Sequence, residues 1–287
     1  MAVTLRALRG RALVCRPSHT VFSPVASRPI AHRFAGSLAA APDVSAARPS
    51  FLRRAALTLA IGVVFTSIGF AWPFYKAVPT IRALMNPPTD QETLEVFEPQ
   101  TEEQRAVDDF IKNHPVSRDL RAREEFTESR PHMKIPEQYR RQHLTGGLLS
   151  GPGRLMVPPL VFAEDGGKSL VAISYLGNEL CGHPGIIHGG LLATMLDEGL
   201  ARCCMAALPH KVGMTANLNV NYRSPAKADS YVVLRATTTR VEGRKAWVEA
   251  RIETLVGEGE TPVVLAEATA LFVSPKEAAM MRNIFPE

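Results

Sequence analysis

Hydrophobic and polar positions divide the chain into stretches of different period. Residues 55–75 read AALTLAIGVVFTSIGFAWPFY, without a charge, between Arg53-Arg54 and Lys76. About 20 apolar residues suffice for a helix to cross a bilayer, so this run is expected to be a single transmembrane segment. Trp72 and Tyr75 at one end suit a membrane interface, and Gly62, Gly69 and Pro73 are tolerated in such helices. Residues 76–145 read as a polar, mostly helical connector. Thr101-Glu102-Glu103-Gln104 looks like a helix start, Val107, Phe110 and Ile111 follow at helical spacing, and His114-Pro115 closes the helix. The run from Arg118 to Arg130 mixes charges of both signs and is expected to be a solvated face or a docking helix.

From about Gly146 the pattern changes. Leu155–Phe162 and Ser169–Leu176 read as strands around the turn Glu164-Asp165-Gly166-Gly167. After a loop, a helix from about Gly189 to Ala207 is apolar nearly all round and is expected to be buried. Four alternating segments follow: Val212–Tyr222, Tyr231–Val241, Lys245–Val256 and Pro262–Val273. In the first, Val212, Met214, Ala216, Leu218, Val220 and Tyr222 share one face, and Thr215, Asn217, Asn219 and Asn221 share the other. Two strands, a buried helix and four antiparallel strands are satisfied by an α+β hot-dog fold, a long central helix wrapped by a curved antiparallel sheet. The expected organisation is a leader over 1–50, the membrane helix over 55–75, the connector over 76–145, the hot-dog domain over 146–275 and a tail over 276–287.

Charge sharpens this division. Residues 1–54 hold nine Arg, no Lys and one acid, leaving 24 basic and 27 acidic residues for the rest of the chain. An Arg- and Ser-rich, acid-poor N-terminus resembles a mitochondrial transit peptide, which places the protein in a mitochondrial membrane, the inner one by expectation. With the basic charge confined to that leader, nucleic acid is not expected as a partner. Cys15, Cys181, Cys203 and Cys204 form no CxxC pair and read as reduced, core-type thiols, and no metal site is expected.

The candidate chemistry lies in Ile186–Asp197, where His188-Gly189-Gly190 runs straight into the apolar helix. Free N–H groups at a helix start can hold a developing oxyanion. A carboxylate inside an apolar helix is costly without a role or a partner. Hydrolysis of a thioester fits: Asp197 as general base or nucleophile, the Gly189 N–H as oxyanion donor, His188 orienting the loop or donating to the carbonyl, Thr215 positioning the water. Eight residues of helix put about 12 Å between Gly189 and Asp197. One helix therefore cannot serve one carbonyl with both, and a site shared across a twofold homodimer is expected. The plainer alternative is a capping turn at the glycines, with Asp197 paired to Arg202 or to a backbone N–H.

These residues are similar to those of the hot-dog acyl-CoA thioesterases, and within them to those of the mitochondrial thioesterase superfamily members 4 and 5. The resemblance rests on His188-Gly189-Gly190 with Asp197, on Met214–Tyr222, on Val241-Glu242-Gly243-Arg244-Lys245, and on Ala266-Glu267-Ala268-Thr269. It implies a fatty acyl-CoA hydrolase acting through Asp197, Gly189 and Thr215, with Gly190, Asn221, Arg223, Arg244 and Lys245 binding substrate. It implies no cofactor, since coenzyme A is part of the substrate, and a homodimer or dimer of dimers. One departure stands out: related enzymes often carry Asn six residues before the motif His, where this chain has Gly182, beside His183 and Pro184. That departure supports the alternative of a non-catalytic, membrane-tethered module binding acyl-CoA or a protein. A hot-dog dehydratase would need an Asp followed closely by a His, which the strand-to-helix segment does not offer.

Overall fold

The computed structural model describes residues 50–280. The leader expected over 1–50, save its last residue, and the end of the tail expected over 276–287 lie outside them. Helix α1 (Phe51–Met85) contains the charge-free run and extends it at both ends. Its stretch Phe51–Pro79, of mean hydropathy 1.9, is long and apolar enough to cross a membrane.

Three helices follow. α2 (Asp90–Val96) opens with a capping box in which Thr89 and Glu92 each bind the other's backbone N–H. α3 (Glu102–Asn113) is capped by Thr101, whose hydroxyl accepts from the Gln104 N–H at 3.1 Å. α4 (Pro115–Arg121) begins at once because proline is well suited to a first helical position. β1 (Phe126–Ser129) comes next, then a single turn Pro131–Lys134, α5 (Glu137–Arg140) and a π-type turn Leu144–Leu148.

The remaining elements are β2 (Leu160–Glu164), β3 (Ser169–Leu176), a small hairpin of β4 (Cys181–His183) and β5 (Ile186–Ile187), α6 (Gly189–Met205), β6 (Met214–Tyr222), β7 (Ser230–Glu242), β8 (Lys245–Thr254) and β9 (Val264–Val273). β2 starts later than the apolar pattern suggests, because Pro158 and Pro159 have no N–H for a ladder. The main sheet has seven strands in the order β1-β2-β3-β7-β8-β9-β6, with every pair antiparallel. α6 packs on one face through Leu191, Leu192, Leu196, Leu200, Cys203 and Cys204. Gly199 permits the close approach, since a Cβ there would sit 2.7 Å from the Leu234 side chain on β7. This is the expected hot-dog arrangement. Burial also pushes the Cys203 and Cys204 thiols up to about 11 and about 12, as inert core thiols require.

The expected connector is not only a connector. β1 pairs with β2 from Phe126↔Glu164 to Ser129↔Val161, so the sheet begins well before residue 146. Four residues among mixed charges are too few to show a period. α3 covers the other face of the sheet, with Val107 and Ile111 against Leu160, Phe162, Ile173 and Val233. β3 is therefore buried on both sides, which explains its nearly unbroken apolar run. The expectation of a solvated face up to Arg130 is also corrected. Arg130 is 0% exposed, and its guanidinium donates to the Asp108 carboxylate on α3 and to the Pro158 carbonyl. Asp108 also pairs with Lys112 at 2.8 Å.

Truncating Asp108 would strand the buried Arg130 charge. Asp108→Ala should lower unfolding stability by about 3–5 kcal/mol. Chemical denaturation should find less than half that loss for an added Arg130→Met, which removes the orphaned charge.

Candidate active site

Asp197 lies on the flank of α6 that faces β6. The Thr215 hydroxyl donates to Asp197 Oδ1 at 2.9 Å, and Thr215 itself is open to solvent. Simple alternation would not allow this pairing, because it places Thr215 on the face away from Leu218. A β-bulge resolves the conflict: Thr215 pairs with Phe272 while Asn217 pairs with Leu271, leaving Ala216 as an extra residue. Thr215 thereby turns to the helix side with Leu218, Val220 and Tyr222, and Met214 turns away. The structure gives Asp197 the Thr215 hydroxyl, whereas Arg202, the partner allowed for in the plainer reading, sits in the field of Glu198 and Asp90.

At the start of α6, His188 is the N-cap, and its Nδ1 accepts from the Gly190 N–H at 2.9 Å. A neutral imidazole accepting at Nδ1 carries its proton on Nε2, so Nε2–H is a potential donor. Gly189 is the first helical residue, where the N–H has no partner inside a helix. Among the described residues its N–H makes no hydrogen bond. Gly182 packs against the same imidazole: a Cβ there would lie 3.0 Å from His188 Cδ2. An asparagine at 182 would press on His188, so the departure at this position matches the local packing.

The expected residues fall into separate groups. Asp197 and Thr215 are together; His188, Gly189 and Gly190 are together about 12 Å up the helix. Asn221 and Arg223 lie at the far end of β6, where Arg223 Nε holds Glu267 at 2.7 Å. Arg244 lies in the β7–β8 turn and Lys245 opens β8, with Arg244 donating to the Ser274 carbonyl at 2.6 Å. Lys245 is level with Val273 and Asn221 with Glu267, so six residues of strand put about 20 Å between these two cationic groups. Within the single chain they do not converge.

The thioesterase superfamily model matches residues 184–261, which take in the α6 turn, Asp197, Thr215 and β6 to β8. A UPF0644 protein of Schizosaccharomyces pombe is 33% identical over 190 residues, 66% of this chain and 73% of that protein. The chain belongs to the thioesterase superfamily. An uncharacterized mitochondrial protein of Candida albicans is 36% identical over 143 residues, 50% of this chain and 64% of that protein. Acyl-coenzyme A thioesterase THEM4 of Mus musculus is 37% identical over 106 residues, 37% of this chain and 43% of that protein.

This superfamily member has a second polar cluster on α6 that its sequence did not announce. Thr145 Oγ1 lies 2.8 Å from both Glu198 carboxylate oxygens and 3.2 Å from His132 Nε2. Burial pushes His132 down and favours its neutral form. Burial opposes ionisation of Glu198, but bonds from His132 and Thr145 outweigh it and hold the carboxyl below the usual carboxylate range. Burial likewise lowers Arg202 to about 10. These groups border a narrow, mainly apolar cavity of about 50 Å³ between α6 and β2–β3. The cavity lies off the Met195–Gly199 side of α6, roughly the opposite side from Asp197. This cavity is thus separate from the candidate active site, where Thr215 is open to solvent. The one visible signal was Glu198 and Arg202 at i, i+4 inside an apolar helix.

The depressed His132 gives a pH test. Its folded-state value lies below the usual 6.5, so on acidification the unfolded chain takes the proton first. Stability contributed by neutral His132 is complete above the unfolded value near 6.5 and is lost as the pH falls from there through the folded value. The melting temperature should decline between about pH 7.5 and 5.5, and His132→Gln should flatten the decline by about 3 °C. Parallel pH curves for variant and parent would disprove this.

Proposed function

We propose that the chain is a membrane-tethered acyl-CoA thioesterase that hydrolyses fatty acyl-CoA to free fatty acid and coenzyme A. The observation that carries this reading is the pairing of Asp197 with the Thr215 hydroxyl at a solvent-facing position of a buried helix whose glycine-rich start keeps a free N–H. Asp197 takes a proton from a water held by Thr215, and the water oxygen bonds to the thioester carbonyl carbon. The negative charge moves to the carbonyl oxygen, where the Gly189 N–H and the positive end of α6 stabilise it, with His188 Nε2–H as a second donor. Collapse of this intermediate breaks the carbon–sulfur bond. The coenzyme A sulfur leaves with the electron pair and receives the proton from Asp197.

The distances favour assembly across a dimer. β6 is the last strand of the sheet, with its outer edge unpaired among the described residues, and it exposes 52% of Met214 and 55% of Tyr222. It runs antiparallel to α6, with Thr215 beside Asp197 and Tyr222 beside Gly189. Antiparallel pairing of β6 with its copy about a twofold near its middle brings Asp197 of one protomer to Gly189 of the other. The same operation carries the Asn221–Arg223 end of one β6 to the Arg244–Lys245 turn of the partner. Those groups, with Gly190, would receive the phosphates and amides of coenzyme A, and Arg223 would trade Glu267 for phosphate.

The arginine-rich N-terminus, α1 and the mitochondrial naming of fungal relatives support placement in a mitochondrial membrane, by proposal the inner one, crossed once.

Asp197→Asn in the full chain should lose about 100- to 1000-fold in kcat on medium- or long-chain acyl-CoA with an unchanged melting temperature. Parent-like turnover in that variant would refute the assignment. Gly189→Pro removes the donor N–H at a position where helices accept proline. Each variant alone should be inactive. Co-expressed, half the dimers are mixed and each has one intact site, so about a quarter of parental activity should return. No recovery on mixing would refute the shared site.

A further inference from the structure

The peptide between Gly189 and Gly190 is held at both ends. Its carbonyl oxygen accepts from Tyr222 Oη at 2.9 Å, and its N–H donates to His188 Nδ1 at 2.9 Å. The Tyr222 ring also lies against Gly189, where a Cβ would sit 3.3 Å from ring carbon Cε1. Two successive glycines would otherwise allow this backbone wide freedom in φ and ψ. The N–H of Gly189, the only amide in the turn left without a partner among the described residues, belongs to the preceding peptide and shares the Gly189 Cα, so the anchored carbonyl and the ring packed on that Cα keep this N–H from tilting. An oxyanion donor is useful only when it is aimed before charge develops, because reorienting it during the reaction costs what the hydrogen bond returns.

We infer that Tyr222 is a positioning residue: its hydroxyl fixes the carbonyl of Gly189 and so aims the Gly189 N–H at the thioester oxygen. The inference rests on the acyl-CoA hydrolase reading and extends it to a residue on a different element. Tyr222 stands on β6, 33 positions after Gly189, and reaches the turn because β6 runs back along α6. Its phenol makes no hydrogen bond to Asp197 or Thr215, so it takes no part in activating water. His188 restrains the other end of the same peptide, so loss of Tyr222 should loosen the turn without unfolding it.

The test compares full-length parent with Tyr222→Phe, which keeps the ring and removes the hydroxyl. On acyl-CoA of several chain lengths, kcat should fall about tenfold, the size expected for one lost hydrogen bond, with KM changed less than about twofold. The pH–rate profile should keep its shape, because the base is unchanged. Amide hydrogen exchange in the segment 186–192 should quicken several-fold, with exchange elsewhere and the melting temperature as in the parent. Parental kcat, or a raised KM at parental kcat, would overturn the inference. A slower enzyme with a lowered melting temperature and unaltered exchange at 186–192 would overturn it too, since that marks a structural role only. A parent chain that hydrolyses no acyl-CoA would instead remove the hydrolase reading and the catalytic use of the turn. The exchange comparison would still decide whether Tyr222 holds the peptide.

Discussion

An apolar helix of 17 residues has one way to leave water in this molecule, which is to lie across the sheet. That constraint governs the rest. Leu191, Leu192, Leu196, Leu200, Cys203 and Cys204 face the sheet, and the absent side chain at Gly199 lets the helix settle onto Leu234. Rotation about the helix axis is then fixed, and with it the direction of every side chain that does not face the core. Asp197 is carried to the β6 flank, and Glu198 and Arg202 to the β2–β3 flank. The two polar clusters on α6 are by-products of one packing decision.

The fixed rise of a helix then acts as a ruler. It holds the glycine turn and the carboxylate too far apart for one small substrate group. β6 carries the complementary contacts at the same two levels, Tyr222 above and Thr215 below. A terminal strand whose outer edge is unpaired among the described residues invites another strand, and in the proposed dimer that strand is its own copy. The spacing that the helix imposes within one chain is the spacing that the proposed twofold would correct.

The central architecture was legible because its signals are strong. β3 and α6 start and end close to where the apolar patterns place them, and β7 to β9 alternate visibly. Three things were hidden. β1 is four residues long within a charged run, below the length at which a period can be read. Arg130 belongs to a class normally found at the surface, and its burial depends on Asp108, 22 positions away. The cluster of His132, Thr145 and Glu198 joins segments 53 residues apart in sequence, and no local rule links them. Of the candidate site, the glycine turn and Asp197 could be named from the chain. The residues expected to bind substrate gave no hint that they stand in two groups, because separation within a sheet is set by register and register is a property of the folded strands.

The extra residue in β6 bears on how this chain tolerates change. A strand normally commits all its side chains to one alternation, so a position is either inward or outward along its whole length. With one residue bulged, the upper part of β6 keeps Leu218, Val220 and Tyr222 inward while the lower part brings Thr215 inward as well. Removing Ala216 would delete no group with any chemistry, yet one part of the strand would have to turn over. Chain length between Thr215 and Leu218 is therefore under tighter constraint than the identity of Ala216. A gene could drift freely in the letter at that position and still be unable to lose the codon.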